Sequence, residues 1–465
     1  MSAPIIWIFI PVILGIILWF LPDSRIVVLL GIGIPLVLSL IAWFLPLDSP
    51  FVVGNLSFKI SSNLTILGRH LILSSNDQPL LIFIYSSLCL WYLCSVVAGS
   101  PYKLISYGLL ITSLLISAIA VEPFLYAALI IETAILISIP LLNPRKKTPG
   151  RGLIRYLVFQ TIAMPFILFS GWLLAGVSSS PGELSLSGQA AIFLGLGFIF
   201  LLAIFPFNTW IPLLSEETNP SQMSLILWIF PTIGLLFGLY FLDTYSWIRD
   251  SNYLLIVLRL SGIITMVSGG VWAAFQKNLK RLIAYAIIME MGSSLLAISI
   301  KGSIGIDLFF GLLLPRTITI FFWAMALTII LGTNSNGQFA SIKGFGRKYP
   351  FASIVLVLSH FSFVGLPLLA GFPIHMALWV QLGKLSIYYA FWYLIANIGL
   401  LTGGIRVLAV LVTSSEKEGF LSLENWSQRI FLSIGILILI LLGILPQWIT
   451  PLLSRLPSMF NHLAK

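Results

Sequence analysis

A glutamate in the middle of the run YAALIIETAILIS has no other charge within nine residues on either side. An ionisable side chain in hydrocarbon costs about 2.5–3.5 kcal/mol even on the lenient insertion scale, so Glu132 needs a reason to be there. Its carboxyl must take up a proton or face a cation from elsewhere in the fold. Either state suits a group that accepts and releases protons, and the plain alternative is a hydrogen-bonded structural glutamate. Glu290 and Arg316 fall in consecutive apolar segments, and their opposite charges suggest a pair. His375 and His360 share a third such segment. Histidine, with an ordinary pKa near 6.5, is the natural proton shuttle at physiological pH, although a membrane histidine also serves as a hydrogen-bonding packing residue. Arg259 and Arg406 read as structural, their stems reaching toward an interface.

Other chemistries find no support. The sequence has no glycine-rich phosphate loop with a lysine, no nucleophile elbow and no Cys or His cluster with metal spacing. Cys89 and Cys94 lie in one apolar stretch and read as packing residues. With four histidines and two cysteines, no haem or iron–sulfur site is expected in this chain.

The elements that must hold these groups are membrane helices. Hydrophobic residues make up 59% of the 465 and charged residues 9%, against roughly 25% charged in soluble domains. The apolar runs reach the eighteen or more residues that cross about 30 Å of hydrocarbon. Spans are expected near 4–21, 26–45, 78–98, 102–121, 123–142, 152–177 and 188–214. Seven more follow near 222–242, 253–275, 281–300, 305–332, 351–381, 386–413 and 429–448. The first reads as a membrane helix rather than a cleaved signal peptide, because no small-residue cleavage site follows it. The β-branched, roughly alternating stretch 51–73 reads as a small hairpin outside the membrane. No linker or composition shift divides the chain, so 1–465 reads as a single polytopic membrane domain.

The net charge of +10 does not imply nucleic acid, because the basic residues sit in short connectors. Fifteen lysines and arginines fall on one side of this topology, seven on the other and three within spans. The basic side is then cytoplasmic, and both termini face the opposite compartment. A bacterial inner membrane is the expected location.

Two spans differ from the rest. The seventh carries Pro206 and Pro212, and the twelfth Pro367 and Pro373 with Gly365 and Gly371. Proline removes a backbone donor and clashes with the preceding turn, so both should be broken. Grouped as spans 4–8 and 9–13, the chain holds two five-helix units, each with its broken helix fourth. Five is odd, so the units enter the membrane from opposite sides, and interrupted helices at matching positions of inverted repeats mark an ion pathway.

Several stretches together resemble one family. QKNLKRLIAYAIIMEMG, Gln276 to Gly292, is similar to the signature in which a lysine–arginine pair opens the tenth helix of the antiporter-like, proton-translocating subunits of respiratory complex I. Lys280 belongs to that pair and joins the candidates. FPFNTWIP, Phe205 to Pro212, resembles their proline-phenylalanine-histidine-x-tryptophan-x-proline segment, with Asn208 at the histidine. IKGFGRKYP, GLPLLAGFPIH and LLGILPQWI, ending at Pro350, His375 and Ile449, look like the approach to the second break, the break itself and the closing element. The motifs occur in order over most of the chain, nearest to the M- and N-type chains. Related folds serve sodium/proton antiporters and membrane-bound hydrogenases.

The resemblance implies a mid-membrane proton path: a glutamate on the fifth helix facing a lysine on the seventh, then lysines on the eighth and a lysine or glutamate on the twelfth. Glu132 matches the glutamate. Leu201 stands at the first lysine, Thr232 or Ile233 at the second, and His375 at the last. The sequence has no lysine between Lys147 and Lys277, which spans helices seven and eight. A membrane-arm subunit of a complex I-like oxidoreductase is therefore expected, with an altered or inactive relay. Its partners are other membrane-arm subunits, with quinone, flavin and iron–sulfur clusters on partner chains. The rivals are a cation/proton antiporter subunit and a structural spacer.

Overall fold

The computed structural model describes residues 2–53, 56–66, 68–143, 148–179, 184–332, 336–413, 422–448 and 450–463. Arg145, Lys146, Lys147, Lys417 and Lys465 of the charge partition, and Ile449 of the closing motif, lie outside them.

A π-helical turn, Ile5–Phe9, leads into α1 (Ile10–Phe20) and α2 (Ser24–Phe44). Next come α3 (Gln78–Val97), α4 (Leu104–Ala120), α5 (Ala127–Leu142), α6 (Arg151–Ser179) and α7 (Leu184–Leu201). The middle holds α8 (Trp210–Glu217), α9 (Pro220–Thr244), the short α10 (Ser246–Arg249), α11 (Asn252–Phe275), α12 (Leu279–Ile298) and α13 (Ser303–Leu331). The chain closes with α14 (Pro350–Val364), α15 (Phe372–Leu385), α16 (Ile387–Val412), α17 (Trp426–Ile444) and α18 (Thr450–Leu453). Among the described residues, nine helices are long and apolar enough to cross a membrane, and five shorter apolar helices accompany them. The protein is an integral, multi-pass membrane protein.

Local sequence sets the helix ends. Asn219 caps α9 by accepting from the Ser221 amide, with Pro220 at the position where its missing N–H costs nothing. Asn278 caps α12 through the Lys280 amide at 2.8 Å. Two glutamates cap from a distance: Glu217 accepts from the Gly152 and Leu153 amides of α6, and Glu424 from those of Phe351 and Ala352 of α14. A carboxylate there meets both the unpaired amides and the positive end of the helix dipole.

Both proline-marked spans are interrupted. α7 ends at Leu201, and the chain passes through Ala203, held at φ 50°, before α8 resumes. α14 ends at Gly365 (φ 73°), and Leu368 follows at φ 70° before α15 begins. A left-handed residue other than glycine costs about 1–3 kcal/mol, and such strain clusters at functional sites. Each break contains one.

The stretch read as one hairpin forms two antiparallel pairs, β1 (Pro50–Val53) with β2 (Leu56–Lys59), and β3 (Asn63–Ile66) with β4 (Arg69–Ile72). β5 (Val121–Glu122), from the connector after α4, extends the second pair, with His70 opposite Glu122. The same end of the bundle holds the C-terminal segment. Asp243 accepts from the amides of Asn461, His462 and Leu463 at 3.0, 2.7 and 2.9 Å.

The centre belongs to three helices. The most apolar stretches of α12 and α13 are each 89% buried and that of α9 is 72% buried, against 33% or less for α2, α11, α16 and α17. Helices enclosed by protein can carry charge that a lipid-facing helix cannot. Glycine brings the neighbours close: a methyl on Gly270 of α11 would lie 2.2 Å from the Ala396 carbonyl oxygen of α16. Small residues of this kind let membrane helices approach backbone to backbone. Gly270→Ala should therefore lower thermal stability of the detergent-solubilised protein by about 1–3 kcal/mol. Gly33→Ala, with nothing within 4 Å of the added methyl, should leave the melting temperature unchanged or raise it.

Candidate functional site

Three of the ionisable residues read from the sequence converge where α12, α13 and the start of α15 meet. Glu290 lies mid-way along α12, Arg316 follows Pro315 in α13, and His375 sits in the first turn of α15, just past the break. All three are at least 95% buried. They lie together in tight packing, with Thr319, Ser362 and Gly371 beside them.

His375 Nε2 stands 2.9 Å from Glu290 Oε1. The contact is close but not aligned, and Oε1 receives no hydrogen bond along a donor axis. The other ring nitrogen, Nδ1, is 2.5 Å from the hydroxyl of Tyr393 on α16, itself buried. In a neutral ring one nitrogen donates and the other accepts, according to the tautomer. In the imidazolium, both nitrogens donate and the Tyr393 oxygen becomes the acceptor. A proton gained at one nitrogen can leave from the other.

The expected direct pair between Glu290 and Arg316 is not found. Arg316 instead donates from Nη1 to Ser294 Oγ at 3.0 Å, and its Nη2 lies 3.5 Å from Thr232 Oγ1 on α9. Ser294 is one turn beyond Glu290 on α12 and donates to the Glu290 carbonyl at 3.0 Å. That hydroxyl takes up the guanidinium, so the cation balances Glu290 from a short distance instead of gripping it. Arg316 Nε has no partner.

The remaining candidates lie apart. Glu132 is half-buried on α5, where its Oε1 accepts from Thr161 of α6 at 2.9 Å and its Oε2 has no partner. It forms no ion pair among the described residues. Leu129 and Leu136, on the same outer side of α5, are about half exposed. Leu201 ends α7, and its carbonyl, freed by the break, accepts from Gln160 at 3.2 Å. Lys280 reaches the Glu216 and Thr218 carbonyls at 3.5 and 3.1 Å, and Arg281 pairs with the Glu216 carboxylate. Both close the C-terminal end of α8, where cations meet unpaired carbonyls and the negative end of the dipole. His360 is buried between α14 and α16, its Nε2 2.8 Å from the Leu400 carbonyl, and does not join the cluster.

Tyr393 and Ser294 were not read from the sequence. A faint signal existed for Tyr393: with Ala396 and Leu400 it follows helical spacing on the buried face of α16. Nothing local marked Ser294 as a partner for arginine.

A multi-pass bundle with two interrupted helices and buried titratable groups beside one break defines an ion-translocating membrane protein. Residues 154–405, more than half of the chain, match the transmembrane family described as NADH:quinone oxidoreductase/Mrp antiporter, and the protein belongs to it. It is 25% identical over 434 residues to NADH-quinone oxidoreductase subunit N of Pelagibacter ubique, covering 87% of this chain and 86% of that one. The fold is similar to a chain of the archaeal membrane-bound sulfane sulfur reductase, with TM-score 0.82, 18% identity and coverage of 100% and 99%. A chain of respiratory complex I from Thermus thermophilus gives TM-score 0.73, 19% identity and full coverage of both.

Removing one charge from a buried set leaves the other uncompensated, at about 3–5 kcal/mol, whereas removing both can be nearly neutral. Glu290→Gln should therefore lower the melting temperature markedly. The double variant Glu290→Gln with Arg316→Met should recover much of the loss, and a purely additive double variant would show that the two charges do not sense each other.

Proposed function

We propose that this chain is a membrane-arm subunit of a complex I-like oxidoreductase and moves protons through Glu290, His375 and Tyr393 in its second half. The observation that carries this reading is the imidazole at the second break, with a carboxylate at one nitrogen and a phenol at the other. Quinone reduction and the flavin and iron–sulfur chemistry belong to partner subunits.

Fourteen spans, with spans seven and twelve formed by α7–α8 and α14–α15, make one membrane domain of two inverted five-helix units. The strands at 50–72 lie outside the bilayer, and both termini face the compartment opposite the basic connectors, in a bacterial inner membrane.

Glu132 has a single partner, Thr161, and a second oxygen buried without one, a desolvated carboxylate with no cation beside it among the described residues. The altered relay follows from the same place, since Leu201 can neither hold a proton nor balance Glu132.

Proton translocation per electron, measured in the reconstituted complex, tests the reading. His375→Ala and Tyr393→Phe should each lower it by the share that this subunit contributes. Glu132→Gln should change it little. Unchanged stoichiometry in both His375→Ala and Tyr393→Phe would leave the chain a scaffold.

A further inference from the structure

In the seam between the two halves of the chain, α7 packs chiefly on α6, and α11 on α12 and α16. Between α7 and α9 on one side and α11 and α12 on the other, a cleft of about 160 Å³ is left. Leu194 and Phe198 of α7, Leu235 and Leu239 of α9, Leu258 of α11 and Leu295 of α12 form its walls. Ser261 is the one polar side chain among the described residues that line it. Val257 belongs to the same wall and is 58% exposed, so the cleft opens sideways from a membrane-spanning helix, toward hydrocarbon.

Two glycines on its walls differ from those of the closed seams. Added methyls at Gly270 and Gly292 would strike the backbone of a neighbouring helix. A methyl at Gly195 would meet nothing within 4 Å, and one at Gly238 would find the Phe198 ring as its nearest neighbour, at 3.3 Å. Small residues that elsewhere bring membrane helices together here leave room.

The cleft has the depth of one leaflet. One end lies at Ile248 of α10, in the connector between α9 and α11, and the other at Leu202 and Ile204, which flank Ala203 at the first break. From Ala191 to Leu202 the wall runs about 16 Å at a rise of about 1.5 Å per residue, close to half of the roughly 30 Å of hydrocarbon. Tyr245, Trp247 and Tyr253 surround the α10 end, as aromatic residues do at headgroup level. Arg249, next to Ile248, donates to the Asp243 carbonyl, and its Nε is 3.9 Å from Asp250, too far for a hydrogen bond. Its guanidinium is 24% exposed and has donors to offer an anion.

We infer that this cleft is a phospholipid site, in which one acyl chain fills the seam from α10 to the first break and the headgroup phosphate rests on Arg249. Water is a poor occupant, because an apolar cavity of about 150 Å³ stays dry and takes hydrocarbon instead. A partner helix, about 10–12 Å across with its side chains, is too thick to enter. A single alkyl chain fits, and it would pack against Leu202 and Ile204 on either side of the left-handed Ala203. The site stands whether or not the chain moves protons.

The test is photo-crosslinking of the assembled complex in vesicles of phosphatidylethanolamine and phosphatidylglycerol, a small fraction of the phosphatidylglycerol carrying a diazirine midway along one acyl chain. Mass spectrometry of the peptides then reads the label on each helix. In the natural chain the walls at residues 194–198 and 235–239 should be labelled at least as strongly as the outward-facing Leu394 and Ile398 of α16. Gly195→Phe, which fills the cleft, should lower wall labelling about tenfold and leave α16 unchanged. Val257→Trp obstructs the mouth from an exposed position and should do the same, should the first variant fail to assemble. Arg249→Gln should weaken wall labelling about fivefold, the worth of one cation beside an anionic lipid. Walls that stay unlabelled in the natural chain, or that label equally in Gly195→Phe and Val257→Trp, would overturn the site. Unaltered labelling in Arg249→Gln would overturn the phosphate contact.

Discussion

A guanidinium held in the middle of a bilayer constrains everything around it. Arg316 cannot shed its proton, and its charge must be met by protein because neither water nor lipid headgroup is at hand. The bundle answers with depth. α12 and α13 are the most thoroughly enclosed of its long apolar helices, α9 follows, and these three supply Glu290, Ser294, Arg316 and Thr232. The glycine seams that press α11 onto α12 and α16 then have an electrostatic purpose as well as a packing one. A looser bundle would admit lipid beside an unscreened charge. The carboxylate that balances Arg316 is also the one that meets His375, so the permanent cation and the titratable ring share a single counter-charge. When the ring gains a proton, the local sum changes by one unit around a cation that does not move.

The two halves of the chain treat similar backbone devices differently. Each has an interrupted helix, and each interruption holds a non-glycine residue in the left-handed region. In the second half the strain accompanies chemistry, since the break delivers His375 to Glu290. In the first half the freed carbonyl of Leu201 is satisfied by Gln160, and among the described residues no titratable group stands at the break. Glu132 lies on another helix, bound to Thr161 through one oxygen, with the other buried. The first break shares the backbone device of the second without a titratable partner beside it among the described residues.

Much of this was legible in the sequence, for identifiable reasons. Prolines 206, 212, 367 and 373 mark both breaks because a missing N–H has the same consequence in any membrane helix. Glu290, Arg316 and His375 stand out because charge is conspicuous against so apolar a background. What escaped the reading was pairing. The opposite charges of Glu290 and Arg316 suggested a pair, but Ser294 takes up the guanidinium, and a serine one turn away carries no sign of that role. Tyr393 escaped for a related reason: its run holds three tyrosines, and only the rotation of α16 decides which one turns inward. Lys280, set apart by a motif, proved to close the end of α8, a contact between segments more than sixty residues apart.

The choice of imidazole over an amine at position 375 has a consequence of its own. An ammonium accepts and releases its proton at one atom, so directional transfer requires the side chain to swing between donor and acceptor. An imidazole has two sites on opposite sides of a rigid ring, and a proton taken at one releases another at the far nitrogen. Here the two sites have different neighbours, a carboxylate at Nε2 and a phenol at Nδ1. The ring has close neighbours on one side, since added methyls at Gly365 and Gly371 would each fall 3.2 Å from a ring atom. A ring so placed can pass a proton between its two nitrogens without the side chain having to swing.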